Sequence, residues 1–479
     1  MSIVPMPMAP FEHFMLASDG PDHPMSFFVQ MKFQGRFDRP QLNAALQAAL
    51  AVHPLLNSWI QGSVKDVTSR ITWIEADSPT PTIDWNDAEV PFRFAAAKWL
   101  DLKSEAGLRV WLRESEDATT LVLQIHHCCC DGLGATSFIH TLLAAYHLLR
   151  TTGSTAGLEK MFDPQLLRER DLSLSSWRRI WNTARHAFGR IARYCKLPPV
   201  PLATPRPLPE DISGDDSFPR FQTFAFDATD TKKFRVTAKR LGVSLNELLL
   251  RDLFLILDDW NRRHSPDHSS RTIRVCIPIN QRRATDHRMP AANVVSLSFL
   301  DRVAAQLADP IRLLSNLHEQ VDQTLRVRTS LAFGPALKLI GMIPGRLYAR
   351  MQHTNCLATA VLSNLGVLCA GSRLLSRDRR VVFGGMTLAS VEVVVPLHPL
   401  THVAFVALNY GGKLSLTISH DPRWINAADG RDLLASFVRQ LKTSLAQFNV
   451  AATEEFAARH SSGSVPVTIL SQPQTVGAS

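Results

Sequence analysis

The chain has 479 residues, 45% of them hydrophobic and 20% charged, with 23 glycines and 29 prolines. That balance excludes a collagenous, mucin-like or acidic-tail protein, and the length predicts two or three domains, or one fold built of two halves, with real apolar cores. The net charge of +9 suits an anionic substrate, an anionic membrane or nucleic acid, so its distribution matters more than its size.

In chain order, Phe27–Phe33 alternates as a strand does, and residues 39–52 carry Leu42, Ala45, Leu46 and Ala49 at helical spacing. A strand is expected over 70–74. An adjacent strand pair follows over 108–113 and 121–127 around a turn at 114–119, then a helix over 135–149. From Arg168 to Lys196 there are eight basic residues against Glu169 and Asp171, which places six of the nine net charges in one segment. Trp177, Trp181, Ala184, Phe188, Ile191 and Cys195 form an apolar stripe there. The segment therefore reads as a helix with a solvated basic face, or as a contact surface for a membrane or an acidic carrier protein. Prolines from Pro198 to Pro209 then impose an extended, semi-rigid connector.

Beyond it a strand is expected over 221–226. Helices are expected over 229–241 and 245–261, the second capped by Ser244. Strands follow over 273–278, 293–300, 358–364, 381–383, 387–394, 401–410 and 413–420, with a last helix over 428–448. The division is a first lobe over 1–197, a linker over 198–219, a second lobe over 220–452 and a mobile tail over 453–479. Seven cysteines without a C-x-x-C pair point to a reducing, cytoplasmic compartment. The first 30 residues lack a secretory signal pattern, and no run is apolar enough to span a bilayer, so any membrane contact is expected to be peripheral.

The chemistry concentrates in Leu121–Gly132, which reads LVLQIHHCCCDG. Successive strand residues face opposite ways, so one of His126 and His127 looks into a cleft while the other packs. A neutral imidazole at a cleft mouth suits general base catalysis near neutral pH. Asp131 and Gly132 mark a tight turn, and a buried Asp131 needs a cationic partner. Zinc bound by His126, His127 and Cys128–Cys130 is disfavoured, because five adjacent residues wrap one tetrahedral ion poorly. A cysteine nucleophile is weighed against small core fillers, and the fillers are preferred. Nucleic-acid binding lacks a motif or an aromatic platform.

These residues carry a resemblance. His126, His127, Asp131 and Gly132 match the His-His-x-x-x-Asp-Gly signature of the chloramphenicol acetyltransferase-like superfamily, which includes peptide-synthetase condensation domains, polyketide-associated acyltransferases and wax ester synthase/diacylglycerol acyltransferases. The likeness extends to Ser244–Leu249, to Pro278–Arg282 with Asn293, to Ser363–Gly366, and to Tyr410–Asp421. The Pro-Leu-Trp motif of the wax ester group is absent, and Asn246–Glu247 stands where that group has Asn-Asp.

The resemblance implies an α/β fold of two chloramphenicol acetyltransferase-like lobes, each a mixed sheet flanked by helices, with a tunnel between them. It implies a stand-alone acyltransferase using an acyl-CoA or acyl-carrier thioester as cosubstrate, with no bound cofactor or metal, and an alcohol or amine as acceptor. Carried over by position, His127 is the general base and His126 is structural. Asp131 pairs with Arg282, Gly132 shapes the turn, and Ser363, Asn364 and Asn293 bind substrate or the oxyanion. The alternative is a non-catalytic relative that binds a carrier protein or a lipid surface through residues 168–196.

Overall fold

The computed structural model describes residues 3–63, 70–75, 80–92, 99–171, 198–205, 220–265, 272–326, 333–334, 337, 348, 356–370, 372, 374, 376 and 378–448. The first half runs β1 (Met6–Pro7), α1 (Pro10–Ser18), β2 (Ser26–Gln34), α2 (Arg39–Val52), β3 (Ser58–Gln61), β4 (Thr72–Glu75), β5 (Ile83–Asp87), β6 (Leu108–Glu114), β7 (Ala118–His126) and α3 (Gly132–Thr152). Local chemistry explains the helix starts. Pro10 opens α1, where Glu12 accepts a hydrogen bond from the Ala9 N–H. Asp38 caps α2 through the Gln41 N–H, and the spaced Leu42, Ala45, Leu46 and Ala49 are buried. Asp131 caps α3 through the Gly134 N–H, which starts that helix three residues before the expected Ala135.

The second half runs β8 (Arg220–Ala225), α4 (Ala228–Arg240), α5 (Leu245–His264), β9 (Ile273–Asn280), β10 (Val295–Arg302), α6 (Ala304–Leu307), α7 (Pro310–Arg326), β11 (Ala360–Val367), β12 (Val382–Phe383), β13 (Met386–Val394), β14 (Val403–Tyr410), β15 (Lys413–His420) and α8 (Ala427–Gln447). Ser244 and Glu247 close a reciprocal capping box on α5. The sequence reading missed β1, α1, β3, β5, α6 and α7, although Leu313, Leu314, Leu317 and Val321 give α7 a legible apolar stripe.

Two mixed six-stranded sheets flanked by helices result, in the orders β12-β13-β2-β7-β6-β5 and β10-β9-β11-β14-β15-β8, with β1-β4-β3 as a small third sheet. The first sheet is antiparallel except for the parallel β5–β6 pair, and in the second β11 runs parallel to both β9 and β14. The halves of the chain do not divide as the sheets do. Strand β13 pairs antiparallel with β2, from Thr387 opposite Gln34 to Val394 opposite Phe28, so a hairpin from the second half completes the first sheet. Its buried Leu388, Val391 and Val393 belong to the first core, which is the apolar gain that draws the hairpin across. Tyr410 ties the sheets further, its hydroxyl donating to the Leu388 carbonyl at 2.7 Å.

The described part of the proline run is fixed rather than free. Val200, Leu202 and Ala203 are buried, and Ala203 is hydrogen-bonded to Asn261 and Trp260 of α5. The basic segment lies outside the described residues from 172 on, as do residues 206–219 and the tail. Within 168–171, Arg170 is not part of a solvated face: it is buried and paired with Glu12 at 2.6 and 2.9 Å. No described helix is long and apolar enough to cross a membrane.

Candidate active site

The site is built on the turn after β7. The strand ends at His126, one residue earlier than expected, so His127 stands in the turn and not on the strand. His126 is fully buried. Its Nδ1 accepts from the Cys128 N–H at 3.1 Å, and its Nε2 lies 3.3 Å from Asp19. Asp19 is held in turn by the Trp99 indole and the Met25 N–H. The His127 N–H donates to the Met25 carbonyl at 2.7 Å.

The second half grips the same turn. Asp131 accepts from Arg282 at 2.8 and 2.9 Å, from the Gly134 N–H at 2.8 Å and from the Val294 N–H at 2.9 Å. Burial opposes the charge on Asp131, but the Arg282 guanidinium and these N–H groups outweigh it and hold the carboxyl below its ordinary range. Arg282 also donates to the Ala292 carbonyl. Arg283, the other basic residue of the pair, turns away to Asp286 and Glu169. Gly132 is required by close approach, since a Cβ there would lie 2.6 Å from Leu365 on β11.

Asn293 was expected among the substrate-binding residues, and the structure corrects this. It is buried beneath the turn, and its amide donates to the carbonyls of His127 and Cys128 at 2.7 and 2.8 Å. It positions the turn and does not line the cavity. Asn364 is corrected likewise: strand alternation turns it away, and it accepts from the Gly366 N–H instead.

His127 and Ser363 do face a common cavity between the lobes, with Asp131, Gly132 and Arg282 at its wall. The remaining lining is largely apolar and includes Phe11, Met15, Phe27, Val295, Leu297, Val361, Leu365 and Val393. The His127 ring meets Phe27 edge-on at 5.3 Å and Phe11 at 6.2 Å. Burial lowers its pKa. Its own carbonyl, Asp131 and Asn293 oppose the drop without reversing it, so the ring is neutral at neutral pH.

The sequence reading did not single out His398, which lines the same cavity from the β13–β14 loop and packs on Phe14 at 5.5 Å. Its only sequence signal is a histidine one residue before Pro399 and two after Pro396. Cys128, Cys129 and Cys130 are buried, and burial pushes each thiol well up, so they pack as thiols and not as a nucleophile. Among the described residues no group of three or more His, Cys, Asp or Glu side chains converges as metal ligands would.

The chain matches the condensation-domain family model over residues 18–266. It is 27% identical over 286 residues to an uncharacterized protein found in two strains of Mycobacterium tuberculosis, a stretch that spans 56% of this chain and 60% of that protein's length. Solved structures that share its fold include the following three. Polyketide synthase associated protein 5 from Mycobacterium tuberculosis is 15% identical with a TM-score of 0.65, over 93% of this chain and 99% of that one. The first condensation domain of the calcium-dependent antibiotic synthetase, in complex with a substrate analogue, is 16% identical with a TM-score of 0.68, over 95% and 99%. The starter condensation domain of rhizomide synthetase, in complex with C8-CoA, is 14% identical with a TM-score of 0.64, over 94% and 96%.

Proposed function

The chain belongs to the condensation-domain family, and from that premise we propose that it is an acyltransferase, moving an acyl group from a coenzyme A or carrier-protein thioester to an alcohol or amine. The observation that carries this reading is the neutral His127 imidazole facing an apolar cavity between two lobes while its backbone is clamped from both of them. C8-CoA in the starter condensation domain of rhizomide synthetase supports a coenzyme A thioester as donor. The thioester is a cosubstrate, and the chemistry needs no resident cofactor.

His127 Nδ1 is buried, and Nε2 is the nitrogen assigned to act. It takes the proton from the acceptor as the acceptor oxygen or nitrogen bonds to the thioester carbonyl carbon. The carbonyl oxygen becomes an oxyanion, for which the Ser363 hydroxyl is the available side-chain donor. Collapse breaks the carbon–sulfur bond, and the leaving thiolate receives the proton from His127, giving thiol and ester or amide. Asp131 and Arg282 take no part in proton transfer: they hold the turn. Holding both substrates in one cavity supplies much of the rate.

The test is release of free thiol from a panel of acyl-CoA and carrier-loaded donors against pooled alcohols and amines. Release that needs an acceptor and disappears in His127→Ala supports the reading, and equal release in that variant sinks it. The alternative of a non-catalytic binding module rests on residues 168–196, of which only the first four are described, and there Arg170 is buried.

A further inference from the structure

The backbone of His127 is held on both sides. Its carbonyl accepts from Asn293 of the second lobe, and its N–H donates to the Met25 carbonyl at 2.7 Å. Met25 ends the loop that joins α1 to β2, and the same loop bears on His126. Asp19 accepts from the Met25 N–H through Oδ1 at 2.8 Å, and its Oδ2 lies 3.3 Å from His126 Nε2. Residues 19–25 therefore set one side of the turn as Asn293 sets the other.

The second lobe reaches this loop too. Just after β15, the buried Asp421 carboxylate holds Arg423 in a fork, accepting from Nε at 2.8 Å and from Nη2 at 2.7 Å. The same Nη2 donates to the Asp22 carbonyl at 3.2 Å and to His23 Nε2 at 2.8 Å, across 400 residues of sequence. A guanidinium only donates, so His23 Nε2 presents its lone pair and the ring is neutral. Burial and the Arg423 charge lower the His23 pKa, and Asp421 and Asp22 oppose the drop without reversing it. The His23 N–H closes a turn on the Gly20 carbonyl at 3.2 Å, so a shift at His23 carries to Met25 two residues on.

We propose that Arg423 is a positioning residue for acyl transfer, holding residues 19–25 so that the Met25 carbonyl and the Asp19 carboxylate fix the turn that carries His127. This rests on the acyltransferase reading, in which His127 is the base. Arg423 makes no contact with the substrate in this role: it acts through the loop.

The experiment reads the turn directly, by hydrogen exchange at the His127 amide in the full chain. Arg423→Met removes the donors but strips Asp421 of its counter-charge, so His23→Phe is measured beside it, which keeps a ring and leaves Arg423 on Asp421. Arg423→Met is expected to speed exchange at His127 by about tenfold or more, the worth of one hydrogen bond from a charged donor. His23→Phe is expected to speed it as well, and the double variant no further than Arg423→Met alone. Exchange along β15 should stay at the wild-type rate in His23→Phe. Unchanged exchange at His127 in both single variants, additive effects in the double variant, or an equal rise along β15 in His23→Phe overturns the assignment. In thiol release, His23→Phe should lower kcat by about tenfold with KM little changed, and an unchanged kcat also overturns it. If exchange responds as expected but wild type yields no free thiol from any donor, the acyltransferase reading fails and the hold of Arg423 on the turn stands.

Discussion

Asp131 and Arg282 meet edge to edge between the two halves of the chain, 151 residues apart in sequence, through hydrogen bonds of 2.8 and 2.9 Å. The pair fixes the turn that bears His127 against the second lobe. Arg282→Ala leaves the carboxylate buried without its counter-charge and is expected to cost about 3–5 kcal/mol in urea unfolding at pH 7. Because the folded Asp131 pKa is depressed, its stabilisation is present above the unfolded carboxylate pKa and is lost as pH falls through the folded one. The variant's deficit should therefore shrink in acid. A constant deficit from pH 7 to pH 3 would contradict the electrostatic account.

Asn293 touches the backbone of His127 and Cys128 and does not line the cavity. Asn293→Ala frees two carbonyls, and the expected result is a fall in kcat of about 10- to 100-fold, since small misplacements of a catalytic group have effects of that size. KM should change little. A rise in KM with an unchanged kcat would return Asn293 to the substrate-binding residues.

The pH dependence of thiol release follows from His127. Its pKa lies below the ordinary 6.5 because burial disfavours the imidazolium, so the base stays neutral and active as pH drops to 6.5 and loses activity only below it. A kcat/KM profile whose acid limb is centred above 6.5 would assign that limb to another group.

Stability should also fall in acid for a second reason. His53 is buried between Thr141 and the Ala291 N–H, with its pKa lowered to about 3, and the His398 pKa lies at about 4. Above 6.5 both states of the chain hold these rings neutral. Below it the unfolded chain takes up protons that the folded one refuses, so stability is lost between 6.5 and the folded values, on the order of several kcal/mol in total. Urea midpoints at pH 7 and pH 5 check this, and His53→Gln should flatten the slope.

The three consecutive cysteines are expected to resist a thiol reagent in the native state. All three are buried, with thiols pushed well up, whereas Cys356 is only partly buried. Peptide mapping after brief native labelling should find Cys128, Cys129 and Cys130 unmodified and label them only after unfolding.

The sequence by itself determined the local order: the helix over 39–52 from its apolar spacing, the Ser244 cap, the strand over 413–420, and the turn bearing His126, His127, Asp131 and Gly132. Each rests on contacts within a few residues, through caps, periodicity and turn chemistry, and these are written in sequence spacing. Tertiary structure alone decided which sheet β13 completes, that Asn293 and Asn364 turn away from the cavity, and that His398 enters it. Those outcomes depend on which apolar faces meet across the two lobes. Packing of that kind is set by partners hundreds of residues apart, so no spacing in the chain records it.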